Sequence, residues 1–214
     1  MSAEAANRPI VAAFDFDGTL SEGVSGLRFF HQVVGTPRYA WFWVRHLPSL
    51  FAYGRRWRHE ESLDRINRHI FRGLPVAEVA AAADYYWRHT LPRYLAPACM
   101  ARLHAHLARG DRCVIVSRGY EVYLRPWAQS LGIGDVISTR LEAGPDGRLT
   151  GAMPEPSCDG EYKPARLLRL LGPRENYELH AYGDGPGDFA LLAAADCAFV
   201  RHGRGFKPWR AAAT

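Results

Sequence analysis

The sequence lacks any pair of cysteines in a Cys-x-x-Cys arrangement. Its four cysteines are scattered, and Cys113 and Cys197 lie in apolar stretches that are typical of small buried side chains. A disulfide framework would need paired, regularly spaced cysteines, so the pattern argues against a small secreted scaffold. Cysteine usage favours a reducing compartment, and we expect a cytoplasmic protein.

The sequence also lacks a long hydrophobic run. No uninterrupted apolar segment approaches the roughly 20 residues that a helix needs to cross a bilayer. Pro48 and the charges at Arg45 and His46 interrupt the most aromatic stretch. Residues 1–8 have no apolar centre and do not resemble a secretory signal. We therefore expect neither a membrane span nor a leader.

Basic residues are numerous but form no run. The 214 residues include 27 Lys and Arg against 22 Asp and Glu, a net charge of +5. Such a balance suits nucleic acid, an anionic lipid surface or an anionic substrate. Because the arginines are spread over helical segments, we interpret most as solvated and expect no nucleic-acid partner. A basic nucleic-acid-binding module stays open as the non-enzymatic alternative.

Strand-like and helical segments alternate over much of the chain. Strands are predicted at residues 10–14, 113–116, 135–141, 178–182 and 197–200, and helices at 97–108, 120–131, 161–171 and 189–194. A small hairpin is predicted between Leu141 and Leu149, around the turn at 144–147. This alternation is typical of an α/β protein with a doubly wound, mostly parallel, Rossmann-like sheet.

A long helical segment rich in aromatic residues interrupts that alternation. It covers about residues 27–95, with turn signals at Gly35-Thr36-Pro37, near Pro48, at Gly54 and at Gly73-Leu74-Pro75. A helix is predicted at 75–89. We predict an α-helical cap at residues 23–95, inserted into a core domain that residues 1–22 and 96–214 form.

Two carboxylates follow the first strand. Asp15 and Asp17 come at its carboxyl end, just before Gly18-Thr19. Open α/β sheets bind ligands at that edge, and two neighbouring acids repel each other unless a cation lies between them. Oxygen ligands suit Mg²⁺. The alternative is an Asx turn with Asp17-Gly18 at its corner, and the segment taken alone favours that turn.

Polar residues at the ends of other elements favour a binding site over a simple turn. Ser117-Arg118-Gly119 ends the second strand and offers a hydroxyl and backbone N–H donors, whereas Lys163 lies in the first turn of a helix. Asp184 and Asp188 lie in a glycine-rich loop after another strand. Each piece alone is typical of a turn, a solvated helix or a plain loop. Together they are the parts that hold a phosphoryl group and spread its charge.

In order and spacing, these segments resemble the motifs of the haloacid dehalogenase superfamily of phosphatases, most of all the branch that contains phosphoserine phosphatase. The matching segments are Asp15-Phe16-Asp17-Gly18-Thr19 for the first motif, Ser117 for the second, Lys163 for the third, and Asp184 with Asp188 for the fourth. Cys158-x-Gly160-x-x-Lys163, after the segment at 147–151, is similar to a pattern of the same branch. The resemblance covers nearly the whole chain, including the position of the cap.

The resemblance implies a Mg²⁺-dependent phosphomonoester hydrolase that acts through an aspartyl-phosphate intermediate. It makes Asp15 the nucleophile, and Asp17 first the general acid and then the general base. Thr19 is expected to orient this loop and to lie with the phosphate-binding residues. Lys163 is expected to reduce the repulsion between Asp15 and the incoming phosphate.

The resemblance also implies a phosphate cradle and a metal site. Ser117, Arg118 and the Gly119 amide are expected to hold the phosphoryl oxygens. The implied Mg²⁺ ligands are Asp15, Asp17 through its carbonyl, Asp184 directly, and Asp188 either through water or by orienting Asp184.

The cap, which would select the substrate, departs from the phosphoserine phosphatase pattern. Glu22 lies too close to Asp17 to match the glutamate that grips the amine of phosphoserine in that enzyme. The cap is instead rich in aromatic residues and arginine, namely Phe29, Phe30, Tyr39, Trp41, Phe42, Trp43, Phe51, Tyr53, Trp57, Arg45, Arg55, Arg56 and Arg58. We expect most of the aromatics to pack the cap's own core.

Two alternatives stay open for this cap. It could form an apolar, basic pocket for a bulky ester, or face anionic lipid, as in a phosphatase of a phosphatidylglycerophosphate-like substrate. A phosphonate-cleaving relative would need a cap lysine, and none lies between Leu20 and Leu95. The histidines form no metal-binding spacing, so we interpret His104 and His106 as structural or surface residues.

Overall fold

The sheet follows the predicted alternation. The computed structural model describes residues 8–53 and 60–211. Its strands are β1 (Ile10–Phe14), β2 (Arg112–Tyr120), β3 (Asp135–Thr139), β4 (Glu178–Gly183), β5 (Cys197–His202) and β6 (Gly205–Pro208). They lie in the order β3-β2-β1-β4-β5-β6, and all neighbours are parallel except β5 and β6. The predicted doubly wound, mostly parallel sheet is confirmed.

The helices divide into an inserted group and a group that covers the sheet. The α-helices are α1 (Ser25–Tyr53), α2 (Glu60–Phe71), α3 (Val76–Tyr85), α4 (Pro97–Ala108), α5 (Glu121–Ser130), α6 (Tyr162–Leu171) and α7 (Phe189–Ala193). Among the described residues, no helix combines the length and apolar character needed to cross a bilayer.

Alternating side chains of β1 serve two separate apolar clusters. Ala12 and Phe14 belong to the cluster that includes residues of α4 and α5, whereas Val11 and Ala13 belong to the one that includes residues of α6 and α7. A strand buried on both faces needs such a continuous apolar run. Burial on both faces therefore fixes the end of β1, and with it the position of the residues that follow.

The inserted helices α1, α2 and α3 lie in the chain between β1 and β2. α1 contains a kink at Gly35, whose φ of 72° lies in the left-handed region that favours glycine. This kink falls at the predicted turn. The break predicted near Pro48 is wrong, since α1 runs on to Tyr53, and the turn predicted at Gly54 lies outside the described residues.

Most described aromatics of the insert pack inward. Phe29, Phe30 and Phe42 are buried, and Phe29 approaches Tyr123 of α5 with ring centroids 4.9 Å apart. Trp41 is an exception, because 60% of its surface is exposed. The predicted cap positions whose side chains lie outside the described residues are Arg45, His46, Phe51, Tyr53, Arg55, Arg56, Trp57 and Arg58.

The chain leaves the sheet for the insert and returns along adjacent paths. The N–H of Glu22 donates to the carbonyl of Tyr94 at 2.7 Å, and the N–H of Ala96 donates to the carbonyl of Leu20 at 2.8 Å. These bonds tie the two connections together at the predicted boundary. The division into a cap at 23–95 and a core of 1–22 and 96–214 stays a prediction.

The hairpin after β3 contacts the insert. The N–H of Gly144 donates to the carbonyl of Arg148 at 2.7 Å, which closes the predicted turn. The N–H of Leu149 then donates to the carbonyl of Leu74 at 2.9 Å. The hairpin is therefore hydrogen-bonded to the connection between α2 and α3.

The structure differs from the sequence-based expectations at the sheet edges. β2 does not end at Val116 but continues to Tyr120 after a shift in register. β6 was not predicted. Cys197, expected to be a buried apolar residue, is only partly buried, because it begins β5 before the residues that pair with β6. Cys113 is buried as expected.

Candidate active site

Asp15 lies where the first strand ends. Its N–H donates to the carbonyl of Tyr182 on β4 at 2.9 Å, which continues the hydrogen-bonding pattern of the sheet. Its side chain is buried, with only 4% of the residue exposed. The hydroxyl of Thr19 donates to Asp15 Oδ2 at 2.9 Å. The sheet therefore fixes the backbone of Asp15, and Thr19 fixes one of its oxygens.

Lys163 lies between two buried carboxylates. Its Nζ is 2.6 Å from Asp15 Oδ1 and 2.5 Å from Asp188 Oδ1. Burial raises the pKa of Asp15 from 3.8 to about 8, and Asp188 adds to this shift, whereas Lys163 acts against it. Burial alone would lower the pKa of Lys163, but the two carboxylates outweigh it and raise the pKa above its usual value. Lys163 therefore has two carboxyl groups beside it, and its single charge can neutralise only one of them.

Three carboxylates converge on one point. Oxygen atoms of Asp15, Asp184 and Asp188 all lie within 4.8 Å of one another. Asp188 also orients the loop, because its Oδ2 accepts the N–H of Asp184 at 2.9 Å. A set made only of carboxylate oxygens fits a hard divalent cation such as Mg²⁺.

Gly18 leaves space for this set. A Cβ at this position would lie 2.3 Å from Asp184 Oδ2, and Gly18 has a φ of +83°. Both facts require glycine. The Asp-Gly dipeptide that alone suggested a simple turn therefore makes room for an acid from the far end of the chain.

The side chain of Asp17 does not join the three carboxylates. Its Oδ1 accepts the N–H of Ser25, the first residue of α1, at 2.9 Å. Burial raises the pKa of Asp17, while the bonds from Ser25 work in the opposite direction. Asp17 is thus a carboxyl group with an elevated pKa that faces the insert.

The segment 117–119 is arranged differently from the expected phosphate cradle. Ser117 is fully buried, and its Oγ accepts the N–H of Gly119 at 3.0 Å. A Cβ on Gly119 would lie 2.8 Å from Leu124 Cδ1, so the backbone is packed closely against α5. Arg118 lines the cavity described below, and its Nη1 lies 3.1 Å from Asp159 Oδ2.

A cavity of about 380 Å³ joins these groups. Its lining includes Asp15, Asp17, Lys163, Asp184 and Asp188. With Arg118, the structure therefore brings six of the predicted site residues together around one cavity. Val24, Arg118 and Asp159 also line this cavity.

Sequence reasoning missed two residues of this site. Asp159 pairs with Arg118 and would lie 2.4 Å from a Cβ at Gly187, so it is tightly placed between two loops. Its position four residues before Lys163 was the available signal. Ser25, which holds Asp17, had no signal beyond its place at a helix start.

Comparison with known proteins gives a consistent result. The family model for haloacid dehalogenase-like hydrolase matches residues 12–193. Protein CicA of Caulobacter vibrioides is 32% identical over 196 residues, which cover 92% of this chain and 87% of that protein.

Solved structures share the fold. A protein of unknown function from Bordetella pertussis Tohama I has a TM-score of 0.75 at 24% identity, with 88% of each chain covered. A phosphoserine phosphatase solved as a phospho-aspartyl intermediate analogue has a TM-score of 0.61 at 19% identity, with 88% of this chain and 84% of that one covered.

Proposed function

Since this chain belongs to the haloacid dehalogenase-like hydrolase family, we propose that it is a Mg²⁺-dependent phosphomonoesterase that acts through an aspartyl-phosphate at Asp15. The observation that carries the proposal is the placement of Asp15, with one oxygen near Lys163 and the other near Thr19. This leaves the carboxylate facing the cavity that Asp184 and Asp188 also line.

The metal site of the proposal consists of Asp15, Asp184 and Asp188, with the backbone carbonyl of Asp17 as a further ligand. A bound Mg²⁺ supplies positive charge that allows Asp15 to ionise next to a phosphate dianion. Burial and the neighbouring Asp188 raise the pKa of Asp15, and this supports the role because a bound cation would favour the ionised carboxylate.

In the first step, an oxygen of Asp15 attacks phosphorus and the bond from phosphorus to the ester oxygen breaks. Asp17 donates its proton to the departing alkoxide, so the products are the alcohol and the aspartyl-phosphate. The raised pKa of Asp17 supports its role as an acid. Lys163 offsets charge as the phosphoryl group arrives.

In the second step, water attacks the phosphorus of the aspartyl-phosphate. Asp17, now a carboxylate, takes a proton from that water, and the acyl–phosphate bond breaks to release inorganic phosphate and regenerate Asp15. We propose that Ser117, Arg118 and the Gly119 amide hold the phosphoryl oxygens, after the bond between Gly119 and Ser117 rearranges.

The substrate class of the proposal is an organic phosphate monoester. The cavity of about 380 Å³ suits a compact ester. Val24 lines this cavity and is 47% exposed, so an apolar part of the alcohol can contact it. All four cysteines are free, which supports our further proposal of a cytoplasmic location.

A second candidate is a phosphatase of a lipid phosphate at a membrane surface. The observation that favours it is the exposure of Trp41 and Val44 on α1, at 60% and 63%. Sedimentation with anionic vesicles tests it, with Trp41→Ser as the variant. If the unaltered protein stays in the supernatant as fully as Trp41→Ser does, the lipid alternative is rejected. The phosphatase proposal is unaffected by that outcome.

The decisive experiment is hydrolysis of an aryl phosphate with Mg²⁺ and with EDTA. We expect turnover that needs Mg²⁺ and that Asp15→Asn abolishes. The matched control is Asp135→Asn, because Asp135 pairs with Arg112 away from the cavity. Full turnover in EDTA, or full activity of Asp15→Asn, would refute the proposal. A panel from small phosphate esters to lipid phosphates then identifies the alcohol.

A further inference from the structure

A second group of potential metal ligands lies at the opposite edge of the sheet. Glu178 and His180 are the first and third residues of β4, and Cys197 is the first residue of β5. Asp184 follows the other end of β4. At about 3.3 Å per residue, the strand separates the two groups by roughly 15–20 Å. A ligand at this second group therefore cannot be the ion of the carboxylate cluster.

The backbone presents these three side chains together. Glu178 and His180 are two residues apart on one strand, so they share a face of the sheet. His180 and Cys197 are direct partners in the parallel register of β4 and β5. Sites on paired strands are held more accurately than sites on loops.

The ligand atoms already lie within reach of one ion. His180 Nε2 is 2.8 Å from Glu178 Oε1, Cys197 Sγ is 3.8 Å from the same oxygen, and all three atoms lie within 4.8 Å of one another. Bond lengths to zinc of about 2.0–2.3 Å in a tetrahedron separate neighbouring ligand atoms by roughly 3.4–3.7 Å. The thiol–carboxylate spacing matches this value, and the histidine–carboxylate pair needs to open only slightly.

We propose that Glu178, His180 and Cys197 form a site for Zn²⁺ or a similar borderline-soft divalent cation. Sulfur, nitrogen and one oxygen are a donor set that zinc prefers and magnesium avoids. Thiolate and carboxylate neutralise the dication, and the imidazole binds in its neutral form. Three protein ligands leave the fourth position to water.

On binding, the S–H bond of Cys197 breaks and its proton leaves to solvent as the sulfur–metal bond forms. The hydrogen bond between His180 Nε2 and Glu178 Oε1 is replaced by two bonds to the ion. The Nε2 proton leaves to solvent and Nδ1 takes one up, so the imidazole stays neutral. No oxidant or reductant takes part. The three side chains are partly exposed, so the ion can enter from solvent.

Neighbouring groups hold the histidine ring in place. His106 packs against His180 at a centroid distance of 5.6 Å and an interplanar angle of 85°. His106 is itself fixed by Asp111 at 2.7 Å and by the hydroxyl of Tyr182 at 2.8 Å. This fixed neighbour restricts the orientations of His180, which reduces the entropy lost when a metal binds.

The test uses Co²⁺ and Zn²⁺ with the metal-free full chain. Cobalt bound through a thiolate shows a sulfur-to-metal charge-transfer absorption, which a site made of carboxylates lacks. We expect this absorption in the unaltered protein and in Asp15→Asn, and its loss in Cys197→Ser. The matched control is Cys113→Ser, whose thiol lies on β2 and outside the group, and it should keep the absorption.

Calorimetry with Zn²⁺ gives a second readout. We expect about one zinc per chain, and at least 100-fold weaker binding in Cys197→Ser and in His180→Gln, since even loss of an outer partner costs about 10- to 100-fold. A circular dichroism spectrum establishes that each variant is folded. Absence of the absorption in the unaltered protein, or its survival in folded Cys197→Ser, would overturn the proposal.

Discussion

Lys163 Nζ lies 2.6 Å from Asp15 Oδ1, and both side chains are nearly inaccessible to solvent, at 3% and 5% exposed. The two residues are 148 positions apart in the chain. The pair therefore links the first strand to α6 and joins the stability of the fold to the chemistry of the site.

Replacing this lysine should affect both properties. Lys163→Met leaves Asp15 and Asp188 buried without their cation, so we expect the free energy of unfolding to fall by about 3–5 kcal/mol. We expect aryl phosphate turnover to fall by about 100-fold or more. Urea unfolding and kinetics check these values. The control is Lys207→Met on β6, which is exposed and should change neither; equal effects in both variants would contradict the assignment.

The stability of the metal-free protein should depend on pH through Asp15. The pKa of Asp15 rises from its ordinary value of 3.8 to about 8 in the fold, so between these values the folded state holds a proton that the unfolded state has lost. The contribution of Asp15 to stability is therefore fully present below about pH 4 and is lost as the pH rises towards 8. Thermal unfolding in EDTA across this range measures the slope.

Two comparisons isolate the cause of that slope. Asp15→Asn should make it shallower, because the variant has no proton to exchange at this position. Mg²⁺ binds the ionised carboxylate, so it should stabilise the protein more at pH 8 than at pH 5. A Mg²⁺ effect that is the same at both pH values would argue against Asp15 as a ligand.

Gly18 should tolerate no side chain. In Gly18→Ala, the new Cβ would lie 2.3 Å from Asp184 Oδ2, and we expect displacement of Asp184 and a fall in turnover of about 100-fold. Gly132→Ala is the matched control, since Gly132 has a similar φ of +81° but no neighbour within 4 Å. Both variants should lose about 1–3 kcal/mol of stability through backbone strain. Only Gly18→Ala should weaken Mg²⁺ binding.

Tyr120 connects the insert to the sheet by a buried hydrogen bond. Its hydroxyl donates to Asn67 Oδ1 at 2.6 Å, and Asn67 Nδ2 is buried without a partner. Tyr120→Phe should therefore cost about 1–3 kcal/mol of unfolding free energy, because the oxygen of Asn67 also loses its partner. Tyr177→Phe provides the control: the buried hydroxyl of Tyr177 has no partner, so its removal should be neutral or stabilising. Denaturant unfolding of the two variants decides this.

The sequence predicted best those residues whose side-chain chemistry and position at a strand or helix end point to the same site. Asp15, Asp184 and Asp188 were expected to meet because the carboxyl ends of parallel strands share one edge, and the structure brings their oxygens within 4.8 Å. Lys163 was expected to contribute a charge at the same place, and it lies between two of these acids. The catalytic and metal-binding roles of these residues stay predictions.

The sequence was less informative about lateral contacts. His180 and Cys197 are neighbours only because β4 and β5 pair in register, which no local pattern encodes. The pairing of Arg118 with Asp159 likewise depends on two loops that approach each other in space. β6 was missed because a four-residue antiparallel strand has too short a pattern to distinguish from a turn.

The bonds that join Glu22 to Tyr94 and Leu20 to Ala96 hold the two ends of the insert side by side. A helical segment of another length, cut to end at the same two paired backbones, could replace it without altering the order of the strands. Under the proposed function, such an exchange would change the substrate while the residues at the ends of the strands stay the same.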